Sequence, residues 1–316
     1  MITAQLIDSL LAGEDRALAR AITLVENDDP RAFEILKAVY PHGREIPIVG
    51  ITGPGGVGKS SLVDQLIAGY RSEGKTVGVI AVDPSSPFTG GAILGDRIRM
   101  QRHGTDRGVF IRSMASRGKL GGISAATFDV VDLVNASGKD MILIETVGVG
   151  QDEVDIVKIA NTTVVVLMPG LGDEVQAMKA GLMEIADLLI INKADRSDVD
   201  KMEMDLQASL SFFQAEGQWR PRILKTIATG NAGVHDVAAA IREHSDHLKT
   251  SGKLREKALL QSRQRMVDAL EYRITRQIVE EGFERFGILQ KIEEIAARKT
   301  DPYTVVQELL QHFKME

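Results

Sequence analysis

Hydrophobic positions change period twice along the chain. Up to about residue 43 they recur at helical spacing: Leu6, Ile7, Leu10 and Leu11 form one stripe and Leu18, Ile22 and Val25 the next, which predicts short amphipathic helices. A third helix is expected at Asp29-Pro30, a side-chain acceptor followed by a proline whose missing N–H is harmless in a first turn. From Ile46 the pattern shortens to compact β-rich runs at 46–52, 76–83, 109–112, 141–145, 163–168, 188–192 and 223–226, separated by helical stretches. Near-continuous apolar strands alternating with helices predict a mostly parallel sheet covered on both faces, with ligands at the strands' carboxyl ends. After about Thr250 helical spacing returns through Leu259, Met266, Leu270, Ile274 and Ile278, and Asp301-Pro302 opens a last helix. The apolar stripe of this tail serves either packing on its own domain or a dimer interface.

Composition narrows the classes. The 316 residues, 44% hydrophobic and 26% charged, suffice for one large α/β domain with appended helices. A net charge of -6 gives no general attraction for a polyanion, so nucleic-acid binding is not expected and any polyphosphate must be held locally. The absence of cysteine removes disulfides, thiolate zinc sites and thiol catalysis. No run approaches the roughly 20 apolar residues of a membrane span, and the N-terminus lacks the pattern of a signal peptide. A cytoplasmic protein is expected, or a mitochondrial matrix protein if a transit peptide has been trimmed.

The chemistry begins where the first strand ends. Gly53, Pro54, Gly55, Gly56, Val57, Gly58, Lys59 and Ser60 match G-x-x-x-x-G-K-[ST], and Ser61 follows at the head of a helix carrying Leu62, Val63, Leu66 and Ile67. Glycines let the backbone wrap closely around phosphates, and the helix N-terminus adds inward N–H groups and a favourable dipole. In such a loop Lys59 bridges the β- and γ-phosphates and the Ser60 hydroxyl ligates Mg²⁺. Three acids can complete the metal region: Asp83 closing the second strand, Asp96 in Gly95-Asp96-Arg97, and Glu145 ending a buried apolar strand, where an unpaired charge is costly.

Asn192-Lys193-Ala194-Asp195 follows another apolar strand and fits N-K-x-D, in which the aspartate accepts from guanine N1–H and the exocyclic amine. Adenine presents the opposite pattern, so GTP is favoured over ATP. Ile227, Ala228 and Thr229 follow the last strand, with the Ala228 N–H placed to meet guanine O6. Val149 follows Gly148 where Ras-like proteins carry the water-positioning glutamine, and the nearest glutamine is Gln151, so slow intrinsic turnover is expected.

The order GPGGVGKSS, VDPSSP, LGDRIRM, ETVGVGQ, GDEVQAMKAG and NKAD resembles the MeaB/ArgK family of GTPases over nearly the whole chain. The resemblance implies an α/β P-loop NTPase with an N-terminal helical extension (1–43), a GTPase domain (44–248) and a C-terminal helical dimerisation arm (249–316). It implies a homodimer that binds GTP, GDP and Mg²⁺. Its partner would be an adenosylcobalamin-dependent acyl-CoA mutase such as methylmalonyl-CoA mutase, for which it would gate cofactor delivery and which it would protect or reactivate. Carried over, Lys59 and Ser60 hold phosphate and metal, Asp83, Asp96 and Glu145 are metal and switch acids, and Asp195 reads guanine. Asp173 to Lys179 resembles a further switch that brings Gln176 and Lys179 toward the nucleotide. The chain departs from the family at Gly55-Gly56-Val57, commonly proline-glycine-alanine, and at Ile227, usually serine.

Three rivals remain open to the sequence: an ATP-dependent kinase linked to amino-acid transport, a metallochaperone GTPase, and an adaptor that binds nucleotide without turnover. N-K-x-D argues against the first. The second generally needs Cys/His sites, and the closest histidine pair, His244 and His247, reads as solvated helix residues.

Overall fold

The computed structural model describes residues 2–83, 101–115, 125–146, 152–170, 181–211, 219–276 and 287–312. It divides into two compact units, Met1–Ala258 and Leu259–Glu316.

The first unit opens with helices α1 (Ile2–Leu11), α2 (Asp15–Glu26) and α3 (Pro30–Val39). The start of α3 is capped as its sequence predicts. Asp29 Oδ1 accepts the Arg31 N–H at 2.9 Å, and the Arg31 guanidinium grips both carboxylate oxygens at 2.7 Å. The guanidinium first and that N–H second hold the Asp29 carboxyl at about 2.

Seven strands follow: β1 (Ile48–Thr52), β2 (Val77–Asp83), β3 (Val109–Ala115), β4 (Met141–Thr146), β5 (Thr162–Leu167), β6 (Leu188–Asn192) and β7 (Arg222–Thr226). They form one sheet in the order β3-β2-β4-β1-β5-β6-β7, and every pairing is parallel. Every residue of β4, β5 and β6 is buried, which is why their sequences read as apolar runs without alternation. β3 extends to Ala115 beyond its expected end at Arg112, because its pairing with β2 continues to Asp83↔Ala115. Helices α4 (Lys59–Ser72), α5 (Ala125–Ala136) and α6 (Val199–Ser211) lie between strands, and α7 (Val234–Thr250) follows β7.

Helices cover both faces. On one, Leu10, Leu18, Ile22 and Ile35 of the first three helices join Phe128 and Leu133 of α5 over Ile80, Ile142 and Ile144. On the other, Leu62 and Leu66 of α4 and Val237 and Ile241 of α7 pack on Val49, Ile51, Val79, Leu143 and Val164. The helical opening of the chain is therefore part of the sheet's own core. Lys139 bonds Asp15 at 2.9 Å and Arg112 of β3 pairs with Glu26 of α2, adding polar ties to the same packing.

One expectation is corrected. His244 is 1% exposed rather than solvated, because it shares the inward stripe of α7 with Val237, Ile241 and Leu248. Its Nδ1 lies 2.9 Å from Thr162 Oγ1 and its Nε2 3.4 Å from Asp187 Oδ1, and the Trp219 ring packs on it at 4.7 Å. Burial pushes its pKa down.

Helix α8 (Lys253–Arg276) begins in the first unit and continues into the second, which also holds α9 (Ile288–Ala296) and α10 (Pro302–His312). Asp301 caps α10, accepting the Tyr303 and Thr304 N–H groups at 2.9 and 3.0 Å, and Lys291 bonds Glu308 at 2.6 Å to join α9 to α10. Leu259, Met266, Leu270, Leu289, Ile292 and Val306 are exposed on these helices. Among the described residues no helix is long and apolar enough to cross a membrane.

Candidate nucleotide site

β1 lies between β4 and β5, at the point where the order of strands reverses, and parallel pairing brings the carboxyl ends of all three to one edge. The loop Gly53 to Gly58 leaves β1 there and leads into α4 at Lys59. Two of its glycines are sterically required. Gly53 has φ 136°, and a Cβ would lie 2.1 Å from the Val166 carbonyl oxygen. Gly58 caps α4 with φ 97°, and a Cβ would lie 2.3 Å from Asn192 Nδ2.

Lys59 and Ser60 are both buried. Lys59 Nζ donates to the carbonyls of Gly53 at 2.6 Å and Pro54 at 2.9 Å, so the ammonium sits inside the curl of the loop. Ser60 Oγ donates to Glu145 Oε1 at 2.6 Å. The pairing Ile51↔Glu145 sets that carboxylate level with the end of β1, and Glu145 is itself buried. A hydroxyl and a carboxylate meeting at a helix N-terminus are hard oxygen donors, and they fit Mg²⁺, which takes one or two protein oxygens plus phosphate and water. Asp83 ends β2, paired with Ala115 of β3, one residue beyond the Val82↔Thr146 pair that joins β2 to β4.

A second cluster joins this loop to β6 and β7. Asn192 Nδ2 donates to the Val57 carbonyl at 2.8 Å, while its Oδ1 accepts from Thr226 Oγ1 at 3.0 Å and the Ala228 N–H at 3.1 Å. Lys193, with φ 55°, reaches back to the Gly56 carbonyl at 2.8 Å. The Ala228 N–H, expected to face guanine O6, is thus engaged by Asn192. Asp195 is exposed in the turn after β6, Ile227 is half-buried, and Thr229 is exposed. Pro54 is buried, Gly55 is exposed, Val57 is fully buried and Ser61 is half-buried on α4.

The fold therefore gathers Gly53 to Ser61, Glu145, Asn192, Lys193 and the loop from Ile227 to Thr229 at one end of the sheet. Asp96, Gln176 and Lys179 lie outside the described residues. The sequence did not flag the bond from Thr146 Oγ1 to Thr52 Oγ1 at 3.0 Å, which ties β4 to β1 directly beneath the loop. Its only trace is a threonine at the end of each of two neighbouring apolar strands.

Residues 18–282 match the family described as methylmalonyl Co-A mutase-associated GTPase MeaB. A protein of Pyrococcus abyssi (strain GE5 / Orsay) named as a GTPase is 49% identical over 312 residues, 97% of this chain and 95% of its own length. The GTPase ArgK of Escherichia coli (strain K12) is 37% identical over 261 residues, 80% of this chain and 79% of its own. A crystal structure described as a LAO/AO transport system kinase superposes with a TM-score of 0.72 at 28% identity, covering 99% of this chain and 98% of that one.

Proposed function

This chain belongs to the MeaB/ArgK family of P-loop GTPases, and we propose that it is a Mg²⁺-dependent GTP switch serving an adenosylcobalamin-dependent acyl-CoA mutase. In this reading it gates cofactor delivery to methylmalonyl-CoA mutase or a close relative and protects or reactivates that enzyme. It works as a homodimer through residues 249–316, in the cytoplasm. The family's description supports the mutase as partner, and the exposed apolar residues of α8, α9 and α10 support the dimer.

The observation that carries the switch is the 2.6 Å contact between Ser60 and Glu145. It joins the helix that holds phosphate to the strand that leads into Val147-Gly148, so the two elements share one metal-facing pair of oxygens. Ser60 and Glu145 would hold Mg²⁺, with Asp83 and Asp96 nearby, and the ion would neutralise charge on the β- and γ-phosphates. Lys59 would exchange its loop carbonyls for phosphate oxygens and stabilise the same charge. Asn192 would fix the loop, and Asp195 would read guanine from the turn beyond it. Gln176 and Lys179 would enter with the nucleotide state as a further switch.

Single-turnover GTP hydrolysis with and without purified methylmalonyl-CoA mutase tests the reading. The mutase is expected to raise the rate, since a group supplied in trans adds about 10³ to 10⁵ in other GTPases. An unchanged rate, together with failure of the mutase to co-elute in either nucleotide state, would sink the partnership.

A further inference from the structure

The seam between β1 and β4 opens where both strands reach the nucleotide edge. Their ladder ends at Ile51↔Glu145. One residue further on, each strand pairs outward: Thr52 with Val165 of β5, and Thr146 with Val82 of β2. Thr52 leads straight into Gly53 of the phosphate loop, and Thr146 directly follows Glu145. Across the gap Thr146 Oγ1 donates to Thr52 Oγ1 at 3.0 Å, a side-chain bond at the place where backbone pairing between the two strands has stopped.

Alternation along a strand puts this bond on the opposite face of the sheet from the metal-facing oxygens. Met141 and Leu143 share the parity of Glu145 and pack with Leu62 and Leu66 of α4, the helix that carries Ser60. Ile142 and Ile144 share the parity of Thr146 and belong to the core that the first three helices and α5 cover. Both threonines are completely buried. Stability does not call for hydroxyls at this depth: valine has the same shape, and replacing both members of a hydrogen-bonded pair by apolar groups of that shape can be nearly neutral. What the pair supplies is a fixed distance between the root of the phosphate loop and the residue next to Glu145.

We propose that Thr52 and Thr146 are positioning residues for Mg²⁺-dependent GTP hydrolysis, holding the ends of β1 and β4 at the separation that lets Glu145 meet Ser60 at 2.6 Å. The proposal rests on the reading of Ser60 and Glu145 as the metal-facing pair. Neither threonine touches nucleotide or ion in this scheme. The bond acts through the backbone that carries Glu145 on one side of the seam and the phosphate loop on the other. Partners that orient a metal ligand from outside its coordination sphere are typically worth about 10- to 100-fold in metal affinity or activity.

The test measures single-turnover GTP hydrolysis against Mg²⁺ concentration, GDP affinity without Mg²⁺, and thermal midpoint, for the full chain and for Thr146→Val, Thr146→Ser and Thr52→Val/Thr146→Val. Thr146→Val and the double variant are expected to raise the Mg²⁺ concentration for half-maximal rate by about 10-fold or more. The double variant should keep its thermal midpoint and its metal-free GDP affinity near the parent's. Thr146→Ser restores the hydroxyl and should restore most of the Mg²⁺ response. An unmoved Mg²⁺ requirement in both valine variants overturns the proposal. So does a serine variant as impaired as valine, which would assign the effect to packing, or an equal loss of metal-free GDP affinity, which would make the pair a support for the whole site. Glu145→Gln is run alongside: an unmoved Mg²⁺ requirement there removes the metal reading itself, whereas a shifted one beside parent-like threonine variants removes only the positioning role.

Discussion

Ser60 Oγ donates to Glu145 Oε1 across 2.6 Å, joining the first turn of α4 to the carboxyl end of β4. Glu145→Gln keeps the shape and removes the charge that draws in a metal. Phosphate release in a single turnover should fall by about 10² to 10³, and the Mg²⁺ concentration needed for half-maximal rate should rise. Parent-like hydrolysis and an unmoved Mg²⁺ requirement would show that the carboxylate organises no ion.

Gly58→Ala brings a methyl group to 2.3 Å from Asn192 Nδ2 at a residue whose φ is 97°. Lower affinity for both GTP and GDP is expected, with a stability loss of about 1–2 kcal/mol from the left-handed backbone alone. Adding Asn192→Ala clears the collision but leaves the backbone strain and removes the bonds of Asn192 to Val57, Thr226 and Ala228, so the double variant, compared with Asn192→Ala alone, should still show a lower thermal midpoint. A double variant as stable in calorimetry as Asn192→Ala alone would mean that the clash, not the conformation, was the whole effect.

Asp195→Asn exchanges one acceptor oxygen for a donor. Guanine then loses its matched partner while xanthine, with a carbonyl where guanine has its amine, gains one. Competition binding should show guanine affinity falling by about 10²-fold or more and xanthosine diphosphate rising past GDP. Retained guanine preference would move base recognition away from this turn.

His244 gives the fold an acid limit. Burial lowers its pKa, and Lys257 and His247 push the same way, while Asp187 alone opposes them. The unfolded chain binds a proton near the ordinary value of 6.5 and the folded chain only below it, so stability is complete above that value and lost as pH falls through the window beneath it. Trp219 is the single tryptophan and lies 4.7 Å from His244, so its fluorescence should report the change. The thermal midpoint should drop between about pH 7 and about pH 5, less steeply in His244→Asn. Equal slopes in the two proteins would assign the acid limit to other groups.

How far the sequence could be read depended on whether the signal was local. β4 and β5 are buried at every position, so their apolar runs declared themselves, and the phosphate loop did so because only glycine fits at Gly53 and Gly58. Asn192 was legible as part of a base-binding tetrapeptide, but its grip on the Val57 carbonyl depends on β6 and the β1 loop meeting at the sheet edge. The bond of Thr146 to Thr52 joins chain positions that no periodicity links. His244 was misread because a polar side chain on a charged helix looks solvated until α7 is docked and its inward stripe is known.

The first three helices have a history written into their packing. Leu10, Leu18, Ile22 and Ile35 are synthesised before the surfaces that cover them, Phe128 and Leu133 of α5 and Ile142 and Ile144 of β4. Until β4 emerges the nascent chain carries an uncovered greasy face, the kind of surface that recruits holdases or invites aggregation during translation. Removing residues 2–39 would bare the same apolar side of the finished sheet, Ile80, Ile142 and Ile144 among it, so these helices act as its roof rather than as an appendage.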